Sequence, residues 1–588
     1  MKLLNRCATP LIILSLSSSL LCAETKSTPS EKEEAAEKEA LTPELRPALA
    51  IQSGKVDFHA KIPRTGTPFP RFSWLIAPQD RYQLQSAYQI IVAESEEECK
   101  AGGKLAWDSG RVESNSSSLV EAPEATLSPS KTYFWRARLW NNTKVEGKWS
   151  RVFTTISTEK TVKENLSLGT FECSDEKLNA IIENCEKNCE TAFQWPAQFP
   201  PGDQPWGAPL QASLRGYSFT NDITPFLRKY LKAANEAIAK APTFPALIPA
   251  PKTQKEPSPG YSEAPIIGAF VISQLTGDKT FVKPYLTGYA KHLDSVFDND
   301  PKFEGKPLGK ALEDYGHLDD PTSAEFLTLA YFALGCRITG ELATGDGHLP
   351  YIMQHKERFS RAHKGFAANF IDEKGNLTET SQTARILAIR FGILPPESKE
   401  KELKALLADL KERGLRCGIL GQTALLPVLT WTGNTDQALT YARNFSQKDQ
   451  EPSIVANAVV QEWLFSFLAG FIHEGLGFKV GRISPFIPED KSLTSLSASH
   501  LTPYGKISVT WEKKKDHLSV KVTIPPNTTG IIALPASPEA EIMEGGLSLE
   551  EAPFCQLIGD KKGRKEIIAQ SGNYHFTVKS REDAQSNK

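Results

Sequence analysis

The stretch Gln194-Trp195-Pro196-Ala197-Gln198-Phe199-Pro200-Pro201-Gly202-Asp203-Gln204-Pro205-Trp206-Gly207-Ala208 interrupts two helical patterns and cannot itself be helical. Each of its prolines lacks a backbone donor and clashes with the preceding turn, so the segment is a loop. Two tryptophans stand there beside Asp203 and the amides of Gln194, Gln198 and Gln204. Flat aromatic faces stack on the C–H surface of a pyranose, while amides and carboxylates bond its hydroxyls. On composition alone the loop is either a sugar site or a proline-rich connector with two packed tryptophans.

On both sides of this loop the apolar residues recur at helical spacing. Leu178, Ile181, Ile182, Cys185 and Cys189 form one stripe before it. After it, Thr224-Pro225 opens a helix with Leu227, Leu231, Ala234 and Ile238 on one face. Thr322 and Glu325 have the spacing of a capping box ahead of Phe326, Leu329, Ala330 and Leu334. Further helical stretches fall near 383–391, 400–413 and 453–470. A long all-helical region with loops of uneven length fits a helical barrel or an irregular bundle, and periodicity does not separate the two.

Farther out, both flanks change to period two. Between Val56 and Ile156, Tyr88, Ile90 and Val92 share one face, and Trp135, Ala137 and Leu139 alternate with Arg136 and Arg138. Turn signals such as Asp108-Ser109-Gly110 separate the runs, giving a β-sandwich of immunoglobulin-like size. Alternation returns beyond Phe478 in Ile507, Val509 and Trp511, and again in Leu518, Val520, Val522 and Ile524.

The chain has 588 residues, too many for one core, and 68 basic against 70 acidic side chains give a net charge of -2. That balance argues against nucleic acid as a partner. Lys2 and Arg6 precede an apolar run from Leu11 to Leu21, with Ala23 as the expected last residue of an export signal, so the protein is expected in the periplasm or outside the cell. Cys22 as a lipoprotein cysteine ranks second, because Leu21 is bulkier than that processing accepts. The run is short for a bilayer, and no later apolar run reaches membrane length, so no membrane span is expected. Residues 24–54 are rich in Glu, Lys, Ala, Ser, Thr and Pro and are expected to form a solvated tether. The seven later cysteines are scattered, no zinc-type spacing occurs, and the histidines form no pair at helical spacing, so neither metal nor cofactor is expected. No nucleophile motif, phosphate loop or dinucleotide fingerprint is present.

Five blocks carry a resemblance: Pro70-Arg71-Phe72-Ser73-Trp74, Ser86 to Ala93, Trp107 to Val112, Tyr133 to Trp140, and Trp149-Ser150. In order and spacing they resemble the fibronectin-type sandwich that opens bacterial α-L-rhamnosidases. Phe171 to Asn179, Phe226 to Leu231, Thr322 to Phe332, Ser381 to Ala384, Ile419 to Gln422 and Glu462-Trp463-Leu464 are similar to the six-hairpin (α/α) barrel of the same family. After the signal peptide (1–23) and the linker (24–54), the resemblance implies a fibronectin type III-like β-sandwich (55–157), a six-hairpin glycosidase-like barrel (165–477) and a C-terminal β-sandwich (478–582).

The same resemblance implies a carbohydrate substrate and inverting hydrolysis. Inversion needs one carboxylic acid to protonate the leaving oxygen and one carboxylate to activate water, roughly 6.5–9.5 Å apart. Against the family signature, approximately Cys-Pro-Gln-Arg-Asp-Glu-Arg-Leu-Gly-Trp-Thr-Gly-Asp, Asp203 matches the aspartate. Gln204 falls on the general-acid glutamate and Gln211 on the last aspartate. An amide keeps shape and hydrogen bonds and delivers no proton. Tyr261-Ser262-Glu263 and Glu313-Asp314-Tyr315 fall on two further acidic segments, and Glu451 is the nearest glutamate to the second catalytic position. The resemblance therefore nominates Asp203, Glu263, Asp314 and Glu451 as catalytic candidates. Trp195, Gln204, Trp206, Gln211, Tyr261 and Tyr315 are nominated to bind sugar. Each acid has a plainer reading, as a loop brace or a helix-start residue. Two functions stay open: a glycoside hydrolase with displaced catalytic groups, or a descendant that binds glycan or protein through the same mouth.

Overall fold

The computed structural model describes residues 46–579 apart from 57–61, 64–69, 80, 124–130, 159–166, 200–201, 252–255, 310, 345–348, 446–453, 475 and 562. The expected export signal, most of the expected tether and Glu451 lie outside the described residues.

The N-terminal domain is an immunoglobulin-like sandwich. Strands Ile51–Val56, Arg71–Ile76 and Val120–Glu121 form one sheet, and a second is built around Gln85–Ala93 and Thr132–Asn141. The latter two strands are antiparallel, with Ile90 opposite Ala137 and Val92 opposite Trp135. The alternation seen in the sequence puts Phe72, Trp74, Ile90, Val92 and Trp135 into one core. Trp135 meets Phe72 edge-on at 5.0 Å. Gly54 leaves it room, because a Cβ there would lie 2.5 Å from the Trp135 ring.

Twelve long helices follow as six hairpins. They are α1 Glu176–Ala192, α2 Gly207–Thr220, α3 Thr224–Ala239, α4 Ala264–Thr276, α5 Leu286–Asn299, α6 Ala324–Ala343, α7 Leu349–Phe370, α8 Gln382–Phe391, α9 Pro396–Arg413, α10 Ile419–Trp431, α11 Thr435–Phe445 and α12 Ile454–Trp463. The even-numbered helices each touch the next, and α12 packs back on α2, closing an inner ring. Their sequences explain their position: α2, α4, α6 and α10 are buried around nearly their whole circumference, whereas α1, α3 and α9 bury one stripe. Helix α6 reaches the length and hydropathy of a membrane span, yet 83% of that window is buried inside the fold, as expected of an inner helix. This is the barrel; the irregular bundle is excluded.

The capping box expected at Thr322 is displaced by one residue. Ser323 is the N-cap of α6, its Oγ accepting the Phe326 N–H at 3.4 Å. The Thr322 hydroxyl instead lies 2.7 Å from that of Ser381, the N-cap of α8, and so ties two neighbouring inner helices at their starts.

The C-terminal domain is a sheet domain whose longest strands, Leu518–Pro535 and Arg564–Lys579, pair along most of their length. Strand Gly169–Cys173, which precedes the barrel in sequence, joins this sheet beside Ser495–Thr502 rather than the barrel. Its alternation is too short to signal that pairing. The N-terminal sandwich docks on the barrel through Arg71, whose buried guanidinium donates to Asp278 at 2.7 Å. It docks on the C-terminal sheet through Asn527, whose side-chain amide donates to the Asn115 carbonyl at 2.8 Å.

Candidate active site at the barrel mouth

Inner helices all run one way, since each is followed by an outer helix that returns. The loops that precede them therefore gather at one end. Cross-links among these loops build a floor. The Gly207 N–H donates to Ala246 O at 2.9 Å, and Trp206 pairs with Leu247 in a short bridge. A Cβ at Gly207 would lie 2.0 Å from the Tyr261 carbonyl, so only glycine lets helix α2 start this close to the next loop. Trp206 then meets the Tyr261 ring edge-on at 6.1 Å.

The turn Ser258–Glu263 is held from within and from below. Glu263 Oε2 accepts the Gly260 N–H at 2.8 Å, and its Oε1 lies 3.4 Å from His292 Nε2. His292 Nδ1 accepts the Phe244 N–H, which leaves Nε2 to carry the proton toward Glu263. Gln211 Nε2 donates to the Gly260 carbonyl, and the Tyr261 hydroxyl donates to Glu313 O at 3.1 Å. Gln211 thus braces the Ser258–Glu263 turn from beneath, and its side chain also meets the Tyr331 hydroxyl.

Asp314 is the most constrained acid. Its Oδ2 accepts the Thr383 hydroxyl at 2.6 Å and the Gly418 N–H at 3.1 Å, and Oδ1 accepts the Leu420 N–H at 2.8 Å. It caps the start of α10 from a distant loop. Burial raises it to about 6, against the pull of those three hydrogen bonds. A Cβ at Gly418 would lie 2.5 Å from the Asp314 carboxyl carbon, so the cap needs glycine.

Around this floor stand groups that the sequence did not single out. Tyr331 of α6 is buried beside Gly260, and burial, with the nearby Asp314 and Glu263, holds its hydroxyl well above the usual range. Gln382 is a hub: its Nε2 donates to Asp409 and to Gly414 O, and its Oε1 accepts the N–H groups of Arg416 and Cys417. Asp320 accepts the Gln382 N–H at 2.7 Å, so it caps α8. A buried tyrosine or glutamine on an apolar helix reads as core, which is why neither stood out; only their place within the family-like blocks marked them.

The nominated residues divide. Trp206, Gln211, Tyr261, Glu263 and Asp314 come together. Tyr315 lies on the rim, 43% exposed, with its carbonyl accepting the Ile419 N–H at 2.8 Å. Asp203 is exposed at the tip of the opening loop, in a left-handed turn with Gly202, and Gln204 pairs with Phe199 through both backbone groups. Trp195 goes elsewhere: its ring tilts against Phe226 at 6.1 Å under the Lys229 ammonium, so it packs on outer helix α3 instead of joining Trp206. Glu263 and Asp314 are each bonded to backbone N–H groups, as braces are. Among the described residues no group of three or more His, Cys, Asp or Glu side chains could hold a metal.

Residues 167–453 match the model of the bacterial alpha-L-rhamnosidase six-hairpin glycosidase domain. Residues 51–156 match the Rha78A-like N-terminal immunoglobulin domain, and 470–547 the bacterial alpha-L-rhamnosidase C-terminal domain. The chain belongs to the bacterial α-L-rhamnosidase family. It is 25% identical over 453 residues to an alpha-L-rhamnosidase of Formosa agariphila, covering 70% of this chain and 49% of that one. With the alpha-L-rhamnosidase of Streptomyces avermitilis it shares 24% identity over 69% of this chain and 42% of that one. The chain thus spans about half the length of the curated relatives it matches. The fold superposes on the alpha-L-rhamnosidase of Dictyoglumus thermophilum with a TM-score of 0.81, at 14% identity, covering 91% of this chain and 100% of the other. The Streptomyces avermitilis structure complexed with L-rhamnose gives a TM-score of 0.80 at 12% identity, covering 90% and 100%.

Proposed function

We propose that this protein is a glycoside hydrolase that acts on terminal sugars of polysaccharides or glycosides through the barrel mouth, by inverting acid/base chemistry. The observation that carries the reading is the floor of Trp206 and Tyr261 set over a rigid polar turn, within a three-domain architecture shared with rhamnosidases. Asp203, at the tip of the signature loop, is the candidate acid for the leaving oxygen; it is exposed, so the role requires a bound sugar to cover it beside Trp206. Glu451, just ahead of α12 in sequence, is the candidate to activate water. Trp206, backed by the buried Tyr261, presents the apolar face, and Tyr315 extends it at the rim.

The test is a screen of the purified protein on aryl α-L-rhamnosides and on plant and algal polysaccharides, with Asp203→Asn as control. Turnover by the wild type that falls at least ~100-fold in Asp203→Asn supports the assignment. Absence of turnover on every substrate overturns hydrolysis. A second reading, a glycan-binding protein without catalysis, is favoured by one observation: Glu263 and Asp314 are both bonded to backbone donors, with no free oxygen pair aimed at a substrate. Saturable glycan binding without turnover selects it. Export belongs to the same proposal, from Lys2, Arg6 and the Leu11–Leu21 run; mass spectrometry of the mature N-terminus checks cleavage after Ala23.

A further inference from the structure

At the end of the barrel remote from the mouth, every inner helix contributes a polar or aromatic group from its last turns. These are Arg215 of α2, Gln274 of α4, Arg337 and Glu341 of α6, Arg390 of α8, Trp431 of α10 and Glu462 of α12. They are near one another. Arg215 donates to Gln274 Oε1, and its Nε lies 3.9 Å from Glu462 Oε1. The Arg390 guanidinium sits 4.7 Å above the Trp431 ring. Burial opposes the charge on Arg390, Glu462 favours it and Arg215 and Arg337 oppose it, while Glu341 favours the charges on Arg215 and Arg337. The first hairpin of the C-terminal domain closes this end, with the Gly477 N–H donating to Gln274 O at 2.8 Å.

Among the described side chains at this end, donors outnumber acceptors. Arg390 makes no hydrogen bond or ion pair with any described residue, leaving the five N–H groups of its guanidinium without an acceptor. Arg337 spends Nη1 on the Phe391 carbonyl at 3.2 Å, but its Nε is buried without a partner. Three guanidiniums face two carboxylates, an excess of one basic group. His473, the neighbouring ring, adds none near neutrality, since burial and Arg215 hold it well below its ordinary value. A purely structural ion network would satisfy its donors; here Arg337 Nε is buried and unmet, and the half-buried Arg390 guanidinium keeps accessible surface instead of a protein acceptor. There is also room: the side chains of Arg215 and Glu462 keep 21% and 15% of their surface accessible although they lie among six helices.

We propose that the far end of the barrel binds a small tetrahedral oxyanion, inorganic phosphate or sulfate, through Arg390 and Arg337 with Arg215 alongside. Planar guanidinium forks match such oxygens two at a time, whereas chloride offers no paired acceptors. Burial lowers Arg390 to about 9 and Arg337 to about 10, a cost that a bound anion offsets. Its occupant bridges helices α6 and α8 and reinforces the ring that carries the mouth, without taking part in the chemistry there.

The experiment titrates inorganic phosphate, sulfate and chloride at matched ionic strength into the full chain and follows the unfolding midpoint, with calorimetric heats in parallel. The expected result is a saturable rise of a few degrees with phosphate or sulfate and none with chloride, weakened at least ~10-fold in Arg390→Met. Arg390→Lys, which keeps the charge and loses the fork, is expected to weaken it too and serves if Arg390→Met does not fold. A wild-type response to phosphate and sulfate no larger than that to chloride overturns the site. So does an unchanged response in the folded Arg390 variants.

Discussion

The two ends of the barrel handle ionisable groups in opposite ways. At the mouth, Glu263 accepts a backbone N–H of its own turn and Asp314 accepts two from the start of α10, so both carboxyls hold loops in place. At the far end, Arg390 lies over a tryptophan with no acceptor among the described residues, and Arg337 is half satisfied. Carboxylates that meet helix-start N–H groups gain from the dipole there, and arginines near helix C-termini gain from the opposite pole. The same six helices therefore present a braced acidic end and an under-satisfied basic end. A side chain matters to stability where its partners are complete, and to ligand binding where they are missing.

Removing an acid from the braced end is expected to have the largest effect. Asp314→Ala strands the Thr383 hydroxyl and two backbone N–H groups, so a loss of about 3–5 kcal/mol in urea denaturation is expected. A loss under 1 kcal/mol would break the comparison. Gly418→Ala comes next: its Cβ would lie 2.4 Å from the Asp314 carbonyl oxygen, and about 1–3 kcal/mol of destabilisation is expected by the same measurement.

A pH series sharpens the comparison further. Asp314 is raised by burial to about 6, above the ordinary range it has when unfolded. The folded chain therefore holds that proton more tightly between about pH 4 and 6. The contribution is fully present at the acid side of this window and is lost as pH rises through the folded value. Urea midpoints of the wild type are expected to fall relative to those of Asp314→Asn across that window, and parallel profiles would contradict the assignment. The smallest effect belongs to the other end: in anion-free buffer Arg390→Met is expected to change stability by no more than about 1 kcal/mol, or to raise it, because no bond is lost. A loss of several kcal/mol would mean that Arg390 is already fully partnered.

Much of the architecture was legible. The period-two runs around Ile90 and Trp135 gave the N-terminal sandwich, and the apolar stripes gave the outer helices. Helices such as α4 and α10, apolar all round, gave no face, so ring and bundle could be separated only by resemblance and then by the structure. The mouth was partly legible. Trp206, Tyr261, Glu263 and Asp314 were found as residue types, but their partners lie far along the chain, as Asp314 with Leu420 shows, and no local pattern announces them. Trp195 was placed with Trp206 because composition does not tell which wall a loop tryptophan faces. Of the charged ring at the far end only Glu462 lay in a family-like block, and no window showed the ring itself, since each helix supplies only one or two of its members.

The most direct test of the mouth is an equilibrium titration of L-rhamnose into the wild type and Trp206→Ala, followed by intrinsic tryptophan fluorescence. Trp206 is partly exposed and touches Tyr261, so a sugar seated on that floor changes its surroundings. The expected result is a saturable change in the wild type that disappears in the variant. No saturable change in the wild type, or the same change in Trp206→Ala, would contradict a sugar site at this end of the barrel.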